Sequence, residues 1–82
     1  MQLFEIRLVK INPEKNQHRF YQLAVWPDLF GGFSLVREWG RIGQGGQLRF
    51  DPFPTERAAR EVLTSLVQRK CRTGYEAVNR ED

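Results

Sequence analysis

"PTERAAREVLTSLVQRKCRTGY", residues 54–75, decides the fold. Ala59, Val62, Leu63, Leu66 and Val67 recur at the three- and four-residue spacing of one helix face, which predicts an amphipathic helix. Thr55 stands where an N-cap belongs, and Glu56 complements the positive end of the helix dipole. Ala58 replaces the Glu or Gln that would complete a capping box. Arg69, Lys70 and Arg72 crowd the last turn, and Gly74 suits the left-handed position just beyond it. The expected helix is roughly 17 residues, or ~25 Å, long.

Upstream the period is two. In "LFEIRLVKI", residues 3–11, Phe4, Ile6 and Leu8 alternate with Glu5 and Arg7. The polar "NPEKNQ" then breaks the pattern before "HRFYQLAVW", in which Tyr21, Leu23 and Val25 share a face. "PDLFGG" reverses the chain into "FSLVREW", and "IGQGG" leads into "QLRFDPF". Links this short join antiparallel neighbours, because parallel strands need a long crossover. The expected class is α+β: a twisted antiparallel sheet of about four strands, with one C-terminal helix covering one face. The tail "EAVNRED" is expected to fray. Residues 1–82 are expected to form one domain, since 82 residues leave no room for a second core.

Thirteen basic residues against ten acidic ones give a net charge of +3, which permits a polyanionic partner without requiring one. Most of the basic residues are arginine, the cation suited to forked contacts with phosphate. Cys71 is alone, so an intrachain disulfide is ruled out and a reducing compartment is the default. The first residues lack the pattern of a secretory signal, and no stretch approaches the ~20 apolar residues of a membrane span. A cytoplasmic protein without membrane association is the expectation.

The sequence is poor in catalytic apparatus. His18, the one histidine, sits at a loop edge with no cysteine or carboxylate at ligand spacing. Cys71 has cations nearby, but the helix dipole opposes its ionisation and no histidine activates it. The carboxylates form no pair spaced for acid–base work. Gly40, Gly43, Gly45 and Gly46 match neither phosphate-loop pattern and lie between two strands, whereas such loops open a helix. No enzyme activity, metal or cofactor is expected.

"REWGRIGQGG", residues 37–46, carries the remaining signal. Alternation puts Phe33, Leu35, Arg37, Trp39 and Arg41 on one face, and Val36 and Ile42 on the other. A face that buries Phe33 and Leu35 conflicts with Arg37 and Arg41. Either the strand twists or bulges near Trp39–Gly40, freeing its end from the core, or Val36 is the buried residue. In both cases Arg41 reaches solvent beside Trp39. An indole gives a flat surface for a sugar or base, and a guanidinium grips phosphate with two parallel hydrogen bonds. Gly40 would let a ligand backbone approach between them. Such contacts carry little sequence information.

From Arg19 to Glu76 the chain resembles the WGR domain family, its short stand-alone bacterial members in particular. The matching features are the "FY" strand, Trp39-Gly40-Arg41 followed by Ile42-Gly43, and "TERAA" opening a helix that closes at "TGY". In poly(ADP-ribose) polymerases this module binds DNA at strand breaks. The resemblance implies DNA as partner, with Trp39 against a terminal sugar and Arg41 on the backbone. Asn16, Gln17 and Arg19 match the family's first inter-strand loop. Arg37 and Arg49 extend the expected footprint, with Arg69, Lys70 and Arg72 as a diffuse addition. Glu38, turned by alternation to the other face, would repel phosphate if it shared the surface. The competing readings are a protein-interaction module and a regulatory accessory of a separate enzyme.

Overall fold

A computed structural model describes residues 4–78; Leu3 and residues 79–82 of the tail lie outside the described residues. Strands β1 (Phe4–Asn12) and β2 (Gln17–Pro27) are joined by a short 3-10 turn, Pro13–Lys15. Then follow β3 (Phe33–Arg41), β4 (Gln47–Phe53), the helix α1 (Glu56–Arg72) and β5 (Glu76–Val78). They form one five-stranded sheet in the order β4-β3-β2-β1-β5, every neighbouring pair antiparallel. The class is α+β, as the change of period implies.

The fifth strand corrects the expected count of about four. Residues 76–78 of the tail do not fray: Arg7 pairs with Val78, and Val9 with Glu76. No alternation marks "EAV". The strand exists because α1 crosses from the β4 edge back over the sheet and delivers the chain beside β1. Gly74 makes that exit possible, with φ at +101°, where a side chain would be strained.

The core lies between α1 and one sheet face. Leu8, Leu23, Val25 and Leu35 are fully buried there against Ala59 and Leu63 of the helix, with Tyr21 close behind. Each such aliphatic side chain contributes about 1.5–3 kcal/mol by leaving water. Leu66 and Val67 pack at the margin, whereas Val62 turns partly outward at 37% exposure. The helix starts where Thr55 Oγ1 accepts a hydrogen bond from the Ala58 amide at 3.1 Å.

β4 is inverted relative to its apolar pattern. Leu48 and Phe50 point away from the helix and stay 57% and 61% exposed. Asp51, opposite the buried Leu35, lies on the helix side instead.

Candidate nucleic-acid interface

β3 pairs with β2 residue for residue from Phe33↔Pro27 to Arg41↔Arg19, so there is no bulge at Gly40. Val36 is not the buried alternative either: it is half-buried on the open face, while Leu35 is fully buried. Arg37 therefore does sit on the core side. The conflict is resolved by charge. Arg37 Nη2 lies 2.7 Å from Asp51 Oδ2, and Arg49 Nε lies 3.0 Å from Asp51 Oδ1. Arg37 Nη1 also donates a long hydrogen bond, 3.5 Å, to the Tyr21 hydroxyl. Burial alone would lower the Arg37 pKa, but the contacts with Tyr21 and Asp51 outweigh it and hold the value above the ordinary one. Burial would likewise raise the Asp51 carboxyl, and the Arg49 and Arg37 contacts overcome it and keep the carboxyl below its usual range.

Past Arg37, beyond the end of the core, the helix-side face opens. Trp39 is half-buried there and stacks on its cross-strand partner Tyr21, with ring centroids 5.6 Å apart and planes 16° apart. Tyr75 meets Tyr21 edge-on at 6.4 Å and 78°. Lys70 Nζ lies 4.6 Å from the Tyr21 ring centre and 5.6 Å from that of Tyr75, both within cation–π range. Arg19, Arg41 and the main chain of Gly40 complete the lining of a groove of about 400 Å³.

Arg41 is exposed at the rim. It is held by Asn16, whose main-chain oxygen accepts from Nη1 at 3.3 Å and whose Oδ1 accepts from Nη2 at 3.2 Å. Asn16 adopts a left-handed conformation, φ 54°, which asparagine tolerates better than most residues. Two contacts leave most of the five guanidinium donors of Arg41 available.

The expected footprint is thus divided. Trp39, Gly40, Arg41 and Arg19 line the groove, and Asn16 braces it. Gln17 opens β2 opposite Asn12, outside the groove lining. Arg37 and Arg49 are paired with Asp51, also outside that lining. At Gly40 the space a Cβ would take is filled by the chain itself, with Gly46 Cα 2.9 Å away. The glycine thus makes room for the hairpin and not, as its place between Trp39 and Arg41 suggests, for the backbone of a ligand. Glu38 lies across from Gln22 and Leu48, on the sheet face away from the groove.

Tyr21 and Tyr75 join the site, and Lys70, expected with Arg69 and Arg72 only as a diffuse addition at the helix end, lines the groove directly. For the tyrosines, the position of Tyr75, just past the helix-ending glycine, was the one available signal. His18 falls within β2, opposite Ile11, and its carbonyl accepts from the Ile42 amide at 2.7 Å. Among the described residues, no three His, Cys, Asp or Glu side chains come together to hold a metal ion. No helix among them is long and apolar enough to cross a membrane.

An antiparallel sheet backed by one C-terminal helix, with Trp-Gly-Arg closing the third strand, defines a WGR-type module. The family model for the WGR domain matches residues 4–82, and the chain belongs to that family. WGR domains are of a nucleic-acid-binding type in poly(ADP-ribose) polymerase-like proteins. The chain is also similar to "Uncharacterized protein y4dW" of Sinorhizobium fredii, at 34% identity over 74 residues. That match covers 90% of this chain and 36% of the relative, so the chain spans little more than a third of that protein's length.

Proposed function

We propose that this chain is a DNA-binding module that recognises ends, nicks or backbone shape through the Trp39 groove, with no catalytic step of its own. One observation carries the reading: three aromatic rings and three cations line a single groove, and no carboxylate is among its lining residues. In single-strand binders, stacking on an aromatic shelf contributes about 1–3 kcal/mol per base. Arg19, Arg41 and Lys70 are spaced around the shelf to meet phosphate.

The helix end bordering the groove carries the negative pole of the dipole, which disfavours anions. That effect is offset locally. The Lys70 carbonyl accepts from the Thr73 and Tyr75 amides, at 2.9 and 3.2 Å, and its side chain brings a positive charge to the same place. A lone exposed thiol, Cys71, is compatible with a reducing, cytoplasmic setting.

The test is binding of nicked and blunt duplexes between 50 and 200 mM salt. Arg41→Gln and Lys70→Gln are expected to weaken binding and each reduce the log–log salt slope by about 1, whereas Arg49→Gln changes little. Affinity that is independent of salt and unchanged in both groove variants would reject the reading in favour of a protein interface.

A further inference from the structure

Just beyond the Trp39–Tyr21 stack, towards the β1–β2 turn, three cations face one another across three strands. Arg19 lies opposite Lys10 on one side and Arg41 on the other, in the next row after Leu8–Tyr21–Trp39 on the same side of the sheet. Like charges set directly opposite on neighbouring strands are destabilising. Here one arginine meets two of them, and among the described residues no carboxylate pairs with any of the three. Arg37, Arg49, Arg57 and Arg60, in contrast, each have one. Glu76 stands opposite Val9, on the open face, and Glu14 lies in the turn beyond the row, next to Lys15.

Both ends of the row are held in place. Arg41 is braced by Asn16. Lys10 is half-buried, and its stem passes so close to Gly74 that a Cβ there would meet Lys10 Cε at 3.3 Å. Its Nζ lies 5.9 Å from the centre of the Tyr75 ring, which Lys70 approaches to 5.6 Å. Lys10 thus reaches the aromatic groove from the β1 side, although it is not among the lining residues. A stem held this way loses less freedom when its ammonium binds. Neighbouring strands lie about 4.8 Å apart, so the two steps of the row cover about 10 Å. That is the axial length of about three phosphates in one strand of a DNA duplex.

We propose, on the basis of the groove reading, that Lys10 is a further DNA contact and that Lys10–Arg19–Arg41 is a track for the sugar–phosphate backbone. Along it the bound strand leaves the Trp39 shelf and crosses β3, β2 and β1. A carboxylate in the row would relieve the repulsion, but it would also occupy the donors that a phosphate needs. A bound backbone supplies the missing negative charge instead. Local rules of this kind are broken where a site requires it. Because the track meets only the backbone, it adds affinity and direction without a preference for base sequence.

Binding of the full chain to a nicked duplex, measured between about 50 and 200 mM salt, tests the track. Lys10→Gln and Arg19→Gln should each weaken binding roughly fivefold or more at about 100 mM salt, and each lower the log–log salt slope by about 1. Arg57→Gln, an equal loss of charge at the other end of the helix, should leave the slope unchanged. In the free chain Arg19→Gln removes both repulsions. Its Tm should therefore stay at or above that of the wild type at low salt, by a margin that added salt reduces. Wild-type slopes for Lys10→Gln and Arg19→Gln, with Arg41→Gln still weakened, would overturn the track and leave the groove reading standing. An Arg41→Gln variant that binds like the wild type would remove both. A Tm for Arg19→Gln below that of the wild type would give Arg19 a structural role and overturn the track as well.

Discussion

Replacing Asp51 with Ala removes the carboxylate paired with Arg37, whose side chain is only 16% exposed. Breaking a fully buried pair from one side costs about 3–5 kcal/mol, and an exposed pair contributes about 0–1. Exposures of 16% and 23% for the two partners put this pair between those limits, at about 2 kcal/mol. For a domain of this size that corresponds to a fall in Tm of about 8–16 °C, read from a thermal melt followed by circular dichroism. Arg49→Ala breaks the second contact to the same carboxylate. Arg49 is 61% exposed, so its loss should cost about 1 kcal/mol or less. The double variant Arg37→Met, Asp51→Leu replaces both charges with apolar groups of similar size and should recover most of the loss.

The same pair sets a pH dependence. The Asp51 carboxyl is depressed in the folded chain, where burial opposes ionisation but the two arginines outweigh it. Its stabilisation is complete above the unfolded carboxyl value near ~4 and is lost as pH falls through the folded one. The wild type should therefore lose stability below about pH 4 more steeply than Asp51→Ala. A melting temperature for Asp51→Ala within about 2 °C of wild type at pH 7 would refute the view that this pair keeps Arg37 on the core side.

Two further expectations concern the elements that frame the groove. At Gly46 an added Cβ would sit 2.3 Å from the Trp39 carbonyl oxygen, so Gly46→Ala must push the hairpin away from β3. It should cost about 1–3 kcal/mol in a urea titration and alter Trp39 fluorescence. Thr55→Ala removes the hydrogen bond to the Ala58 amide and should lower stability by about 1 kcal/mol, with unchanged helix content at low temperature.

These residues also show what the sequence could and could not disclose. Thr55, the residues of the apolar stripe and Gly74 each act on neighbours only a few positions away in sequence, so the helix was legible almost to its ends. Alternation revealed that β4 is a strand. It left open which side faces inward, because Asp51 meets Arg37 only after the sheet has assembled. The tail strand was invisible for a similar reason, since its pairing with β1 depends on where α1 delivers the chain. At the site, Trp39 and Arg41 announced themselves as a local motif. Tyr21 did not, because it reaches Trp39 through cross-strand register; Lys70 was legible only as one of three cations at the helix end, since the path of the helix over the sheet is what sets it on the Tyr21 ring.

Two tryptophans lie on opposite faces of the sheet, Trp39 in the groove and Trp26 on the open face, and each supplies one indole N–H resonance. Titrating the 15N-labelled chain with nicked duplex DNA at low salt should shift the Trp39 signal, together with the amides of Arg19, Arg41 and Lys70, and leave Trp26 in place. A shift confined to Trp26, or no change at either indole, would contradict DNA recognition by the groove.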